Sequence, residues 1–200
     1  MSSRSHEAEI ESWTTVLGLS SKTVELAKQL LQRVKGKKIC SMSRALLALY
    51  AASIMSGEYI PLTYFITAST GLGRQHIKAR PKRVKYDLKK YFGIELSPEK
   101  LVEIETRGFC RVLKLDALTC EAAVCTAVST FNEFPSAVFN TYTTFVTNVI
   151  RFVARYLNTD ISLPMFLRRP RVLNVLTVRR ARRYVDACVE KVRAVSTLLQ

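Results

Sequence analysis

The sequence lacks the features of several large classes of protein. No apolar run approaches the roughly 20 residues that a helix needs to cross a bilayer, and the polar stretch 1–11 does not resemble a signal peptide. The five cysteines include no Cys-x-x-Cys pair, and the two histidines, His6 and His76, lie far apart. A structural zinc site is therefore not expected. We predict an intracellular protein with reduced thiols and without a cofactor, and an internal disulfide is the alternative for the thiols.

Acidic residues are also scarce. The chain has 31 Lys and Arg against 16 Asp and Glu, which gives a formal net charge of +15. This favours a polyanionic partner, either nucleic acid or an anionic membrane surface. Seventeen of the basic residues lie in two stretches, 74–90 and 168–193, which contain one and two acids. A helix that lies on a membrane carries Trp, Phe or Leu on its apolar face, whereas the second stretch carries Val, Ala and Cys, so nucleic acid is the expected partner.

No pairing of a catalytic nucleophile with a base is recognisable, so we do not expect an enzyme. His76 is a lone histidine in a basic stretch, and Gly71-Leu-Gly73 lacks the spacing and the following Lys of a phosphate-binding loop. Glu103 and Glu105 lie two positions apart and would point to different faces of a helix. No small-molecule substrate is expected either.

Apolar residues spaced by three and four predict helices along most of the chain, and no stretch alternates convincingly as a strand. The predicted fold class is therefore all-α. The stretch 43–55 is apolar nearly all round, which is typical of a helix buried at the centre of a bundle. A linker at 92–99 separates a first domain, 1–94, from a second, 95–200, and Ser97 before Pro98 predicts the start of a new helix. The predicted helices cover about 7–17, a second that ends near 34, then 43–55, 62–69, 100–113, 116–131, 135–156 and 177–192.

The order of these predicted helices repeats. Val16-Leu-Gly-Leu19 matches Val112-Leu-Lys-Leu115, 96 positions on, and Leu62-Thr-Tyr-Phe-Ile66 matches Leu163-Pro-Met-Phe-Leu167, 101 positions on. In each half the second motif is followed by a turn and a basic helix, which contains Tyr86 or Tyr184. The sequence therefore predicts two copies of a five-helix unit.

The last predicted helix, 177–192, follows a short apolar segment and a turn. Helix, short turn and basic helix is the layout of a helix-turn-helix, whose second helix enters the major groove of DNA. The competing interpretation is an ordinary amphipathic helix with a solvated charged face. Its predicted apolar stripe consists of Val178, Ala181, Val185, Cys188 and Val192.

The candidate DNA contacts divide by their expected role. In the last helix, Arg179, Arg180 and Arg183 are candidates for base contacts, and Thr177 is a candidate cap or backbone contact. The basic residues of the turn are expected to contact phosphates, and the remaining candidates are basic residues of the first basic stretch and of the last helix. They are Arg74, Lys78, Arg80, Lys82, Arg83, Lys85, Arg168, Arg169, Arg171 and Arg182.

A buried helix such as Ala45-Leu-Leu-Ala-Leu-Tyr-Ala-Ala52, then a short helix, a turn and a basic helix, all repeated, resembles the cyclin-fold core of transcription factor IIB and of archaeal transcription factor B. Leu176-Thr-Val-Arg-Arg-Ala-Arg-Arg-Tyr184 is the most specific piece. The resemblance covers about 10–195. It implies two cyclin-like repeats, each ending in a helix-turn-helix, that bind double-stranded DNA beside a TATA-binding protein during transcription initiation. The expected location is an archaeal cytoplasm or nucleoid, or a eukaryotic nucleus.

The chain departs from this family in two respects. No paired cysteines supply the family's zinc ribbon, and Pro81 falls within the first basic stretch. Because proline costs about 3 kcal/mol inside a helix, the helix there is expected to start or kink at Pro81, which argues against base reading by the first repeat. The same pair of folds without a ribbon occurs in the sixth subunit of the eukaryotic origin recognition complex. An origin-binding subunit and a cyclin-fold module that binds only proteins are therefore the alternatives.

Overall fold

The computed structural model describes residues 3–39, 41–62, 81–133, 142–161, 185–187 and 189–190. All regular elements within these residues are helical, which confirms the predicted all-α class. No helix of this described part is long and apolar enough to cross a membrane. The helices are α1 (Ser3–Leu17), α2 (Ser21–Arg33), α3 (Arg44–Met55), α4 (Pro81–Phe92), α5 (Pro98–Val112), α6 (Ala117–Glu133) and α7 (Tyr142–Tyr156), and residues 185–187 and 189–190 are also helical.

The chain divides into two compact units, Met1–Leu96 and Ser97–Gln200. Unit 1 contains α1 to α4, and unit 2 contains α5 to α7 and the helical residues near its end. That each unit is a five-helix cyclin-like repeat stays a prediction. The stretches 63–80 and 162–184, where the fourth helix of each repeat was expected, lie almost wholly outside the described residues.

Helix α3 lies at the centre of unit 1. Every residue from Ala45 to Ser53 is buried, as its all-round apolar pattern predicts. The helix begins where the Ser43 hydroxyl accepts a hydrogen bond from the Leu46 N–H at 3.2 Å, a standard N-cap. Helices α1, α2 and α4 all pack against α3. The largest fully buried side chains of this core are Ile10, Leu30, Leu47, Leu49, Tyr50, Ile60 and Leu88.

Helices α5, α6 and α7 pack against one another in unit 2. Helix α5 begins at the predicted place, since the Ser97 hydroxyl accepts from the Lys100 N–H at 3.1 Å and Pro98 occupies the first turn. The core formed by these helices also includes a buried valine of the last helix, Val185. Its main apolar members are Val102, Phe109, Ala123, Ala127, Phe131, Phe145, Val149, Ile150 and Val153.

The first helix of each unit ends in the same way. Gly18 follows α1 with φ +59°, and Lys114 follows α5 with φ +54°, so both adopt the left-handed conformation. In both cases the N–H of the next residue donates to the carbonyl oxygen five residues earlier, at 3.2 Å for Leu19 and 3.0 Å for Leu115. This is the Schellman arrangement that ends many helices. The two segments of the first sequence match, 16–19 and 112–115, therefore share a backbone geometry as well as a sequence pattern.

The second helix of each unit also begins in the same way. In unit 1 the Ser20 hydroxyl accepts from the Thr23 N–H at 3.3 Å, and the Thr23 hydroxyl donates to a carboxylate oxygen of Glu58 at 2.9 Å. This bond ties the start of α2 to the residues that follow α3. The corresponding residues of unit 2 are Asp116, which accepts from the Thr119 N–H at 2.8 Å, and Thr159. Here the Thr119 hydroxyl donates to Asp116 at 2.6 Å, so in the 3.0 Å bond between the two threonine hydroxyls Thr159 is the donor.

The two left-handed turns give a matched pair of stability predictions. We expect Lys114→Gly to stabilise the protein by about 0.5–1 kcal/mol, because a residue with a Cβ is strained at this φ and glycine is not. We expect Gly18→Ala to destabilise it by a similar amount, and strain alone would account for this because nothing lies within 4 Å of the added Cβ. Urea unfolding followed by circular dichroism measures both, and a destabilising Lys114→Gly would contradict the shared turn geometry.

Candidate nucleic-acid interface

Most of the predicted DNA contacts lie outside the described residues. Three of the fourteen, Lys82, Arg83 and Lys85, lie in α4 of unit 1. The described helix begins at Pro81, as expected for a residue that lacks an N–H and suits a first turn. The eleven candidates outside the described residues are Arg74, Lys78, Arg80, Arg168, Arg169, Arg171, Thr177, Arg179, Arg180, Arg182 and Arg183.

Helix α4 separates apolar from basic residues. Val84 and Leu88 are 1% and 0% exposed in the core of unit 1. The side of the helix that faces away from them carries exposed Arg83, Lys89 and Lys90, and Lys85 at its flank is half-buried. The helix therefore presents a cationic surface to the solvent, and two of its cations, Lys89 and Lys90, were not among the predicted contacts.

The positive charge of this surface is largely uncompensated. The one acid of α4, Asp87, is 3% exposed and accepts from the Ser41 N–H, so it does not lie on the outward face. Lys89 is 2.5 Å from a carboxylate oxygen of Glu95, but both side chains are well exposed, and such pairs are weak and screened by salt. Arg83 forms no ion pair within the described residues. An external anion would therefore meet cations that have little competition.

An exposed aromatic residue, Tyr86, lies among these cations. Its side chain is 61% exposed, and the Lys90 ammonium lies 5.4 Å from its ring centroid and 5.2 Å from that of Tyr91. The interaction with Tyr86, and then with Tyr91, raises the pKa of Lys90. A tyrosine hydroxyl is a common donor to phosphate oxygens. The signal that sequence reasoning missed is the spacing, since Tyr86 lies three positions after Arg83 and four before Lys90.

The last helix is anchored in unit 2 by two valines. Val185 and Val189 are 0% and 8% exposed, whereas Asp186 and Glu190 are exposed. The burial of Val185 confirms that member of the predicted stripe. Val189 is buried although it was not on the stripe, because it follows Val185 by one helical turn. The other predicted stripe members, Val178, Ala181, Cys188 and Val192, lie outside the described residues.

The aromatic residues of α7 are not all in the core. The helical spacing of Phe145, Phe152 and Tyr156 in the sequence predicts core packing. Phe145 is buried and Phe152 is half-buried, but Tyr156 is 42% exposed, so the prediction is wrong for Tyr156. Its hydroxyl donates to a carboxylate oxygen of Asp186, and its ring lies 6.2 Å from that of Phe152. This bond links the end of α7 to the last helix. Asp186, which accepts it, is one of the two acidic residues in the second basic stretch.

Val84 and Leu88 of α4 and Val185 and Val189 of the last helix are buried pairs that lie 101 positions apart. This is the spacing of the second sequence match. The left-handed residues Gly57 and Asn158, which follow α3 and α7, keep the same spacing. In this register Glu190 falls where α4 has Lys89. In the same register Lys191 falls where α4 has Lys90, so in both sequences basic residues occur before and after the buried pair.

Four charged residues of α5 and α6 in unit 2, Lys100, Glu103, Arg107 and Glu121, are paired with one another. Arg107 donates to Glu103 at 3.1 Å and to both carboxylate oxygens of Glu121 at 2.5 and 3.1 Å. The hydrogen bond with Glu121 is the main cause of the raised pKa of Arg107. Burial acts to raise the pKa of Glu103, but the hydrogen bonds of its carboxylate with Lys100 and Arg107 have the larger combined effect, so the pKa is lowered. These cations join helices rather than offering a site for an external anion.

Two cysteines of unit 2 lie together as free thiols. Cys110 is buried and Cys120 is partly buried. A hydrogen bond between the two thiols, and then burial, raises the pKa of Cys110. The same hydrogen bond lowers the pKa of Cys120. Cys125 is disulfide-bonded, which is the alternative to reduced thiols that the sequence left open. Within the described residues no group of three or more His, Cys, Asp or Glu side chains is placed to hold a metal ion.

Comparison of the chain with protein-family models, with curated proteins and with solved structures finds no match. Conclusions about its function therefore depend on the motifs of its own sequence and on the chemistry of its own surface.

Proposed function

We propose that this chain is a double-stranded DNA-binding protein of the transcription factor B type, which acts in transcription initiation or its regulation together with a TATA-binding protein. The observation that supports DNA binding is the outward face of α4, where exposed Arg83, Lys89 and Lys90 surround exposed Tyr86. The role beside a TATA-binding protein is supported by the sequence resemblance alone.

This face suits the phosphate backbone better than it suits base edges. Arginine and lysine neutralise phosphates and release the counterions condensed on DNA, which gives affinity without sequence preference. The helix starts at Pro81, within the basic stretch, and its exposed cations Lys89 and Lys90 lie in its last turn. In a helix-turn-helix, base contacts come from the first turns of the second helix. We therefore assign phosphate contacts to unit 1 and base contacts to the last helix of unit 2.

The test is fluorescence anisotropy with a labelled 20-base-pair duplex at 100 mM salt. We expect the triple variant R83Q/K89Q/K90Q to bind roughly ten- to hundredfold more weakly than wild type and to lower the salt slope by about two to three. The control is K22Q/K114Q/R155Q, which removes the same charge from exposed residues of α2, the α5–α6 turn and α7. Because all six residues lie at the surface, the thermal stability of both variants should stay close to that of wild type.

The outcomes separate the parts of the proposal. Failure of wild type to bind any duplex would overturn it, as would equal losses from both triple variants. A second arm adds TATA-binding protein and a duplex that contains its site, and we expect a ternary complex. Duplex binding without that complex would leave the origin-binding alternative, and the reverse result would favour a protein-interaction module.

A further inference from the structure

A second basic segment of unit 1 lies against α4. The loop that joins α2 to α3 contains Lys35, Lys37 and Lys38, which are all exposed, and it contains no acidic residue. Within the described residues none of the three takes part in an ion pair. None was predicted as a DNA contact, because the loop is remote in sequence from both basic stretches.

The backbone of this loop is held in place. Val34, which ends α2, is fully buried, and the Lys37 N–H donates to the Val34 carbonyl oxygen at 3.1 Å across Gly36, whose φ is +74°. The Lys37 carbonyl oxygen in turn accepts from Nε of Arg44 at 3.0 Å. Fixed attachment points reduce the conformational entropy that lysines on this loop would lose on binding a ligand.

Two further hydrogen bonds join the loop to α4. The Ser41 N–H donates to a carboxylate oxygen of Asp87 at 3.2 Å, in a buried position. The hydroxyl of Tyr91 donates to the Lys38 carbonyl oxygen at 2.8 Å. Asp87 and Tyr91 lie four positions apart, so they share one side of α4 and the loop lies along that side.

The side of α4 that meets the loop adjoins its basic face. Arg83 precedes Asp87 by four positions and Lys90 follows it by three, so both are its neighbours on the helix surface. Lys90 is also close to Tyr91, with its ammonium 5.2 Å from that ring centroid. The two hydrogen bonds place Lys38 and Ser41 beside α4, and Lys35 and Lys37 precede them on the same loop, so we call the combined set the loop–α4 surface. It consists of Lys35, Lys37, Lys38, Arg83, Tyr86 and Lys90.

We propose that the loop–α4 surface is a single phosphate-binding surface, on which the three loop lysines contact the sugar–phosphate backbone next to the phosphates held by α4. This inference rests on the proposed DNA binding and extends it to a segment remote in sequence. Nucleic acid fits better than a membrane because an interfacial helix buries a row of apolar side chains, and the one large apolar side chain exposed on α4 is Tyr86.

The experiment compares K35Q/K37Q/K38Q with the control K22Q/K114Q/R155Q in the same duplex titration. We expect the loop variant to bind roughly ten- to hundredfold more weakly than wild type and to lower the salt slope by about two to three, as the α4 variant does. A third variant, Tyr91→Phe, keeps every charge and the ring but removes the bond to the Lys38 carbonyl. It should bind roughly two- to tenfold more weakly, because the loop is then less well ordered before binding.

Failure of this inference is distinguishable from failure of the proposed function. If wild type binds duplex, the α4 variant is weakened and the loop variant matches the control, the loop has no part in binding and the inference alone is wrong. Wild-type affinity in Tyr91→Phe would show that the bond between loop and helix does not support binding. Equal binding of wild type to duplex and to vesicles with 30% anionic phospholipid would overturn the assignment of the surface to nucleic acid.

Discussion

Between 50 and 200 mM salt, the affinity of this chain for double-stranded DNA is expected to fall by about a thousandfold or more. The two stretches 74–90 and 168–193 hold 17 basic residues, and we expect them to neutralise about six to ten phosphates. Each neutralised phosphate makes the fall of log affinity with log salt steeper by about 0.9, so six give a slope near −5. Anisotropy titrations at four salt concentrations with one duplex measure this slope.

The α4 variant serves as the internal control for the salt series. R83Q/K89Q/K90Q should flatten the slope by about two to three, and K22Q/K114Q/R155Q should leave it nearly unchanged. A flat titration of wild type would mean that the charge of the chain serves another purpose, such as binding an acidic protein. A steep slope that all variants share would mean that the contacts are spread over the whole surface rather than concentrated in the two stretches.

The elements that the sequence predicted well are those that depend on local pattern. The all-round apolar stretch around Tyr50 predicted a central helix, and residues 45–53 are buried. Ser97 before Pro98 predicted the start of α5, because capping chemistry involves neighbouring residues. The left-handed turns at Gly18 and Lys114 lie in the two copies of one short sequence match, although the match itself did not predict a turn. Four residues at the start of α1, which begins at Ser3 rather than near residue 7, were missed because they carry no apolar repeat.

The contacts that the sequence did not predict join residues distant along the chain. Nothing near Asp87 indicates that it accepts a hydrogen bond from Ser41, 46 positions earlier. The outward position of Tyr156 likewise depends on Asp186, 30 positions later. Periodicity assigns a residue to a face of its own helix, but it does not identify what packs against that face. The sequence was therefore sufficient to predict the basic helix α4, whereas the position of the α2–α3 loop beside it required the fold.

The largest effect on sequence preference is expected at Arg180. Val185 and Val189 fix which side of the last helix is buried. If the helix extends back to Thr177 as the sequence predicts, a turn of 100° per residue places Arg180 nearly opposite that buried side. Arg183 then lies on the same outward side as Arg180. The same period places Arg182 towards the buried side, which agrees with its omission from the predicted base contacts.

Arg180→Ala should therefore relax the preference at one base pair, since a bidentate arginine–guanine contact gives about 1–3 kcal/mol of discrimination, or roughly five- to 150-fold. Arg171→Ala, in the predicted turn, is the matched control and should weaken all sequences alike while lowering the salt slope by about one. Binding-site selection from a random duplex library on wild type and both variants measures this. If wild type selects no motif, or if Arg180→Ala selects the wild-type motif with undiminished strength, Arg180 does not read a base.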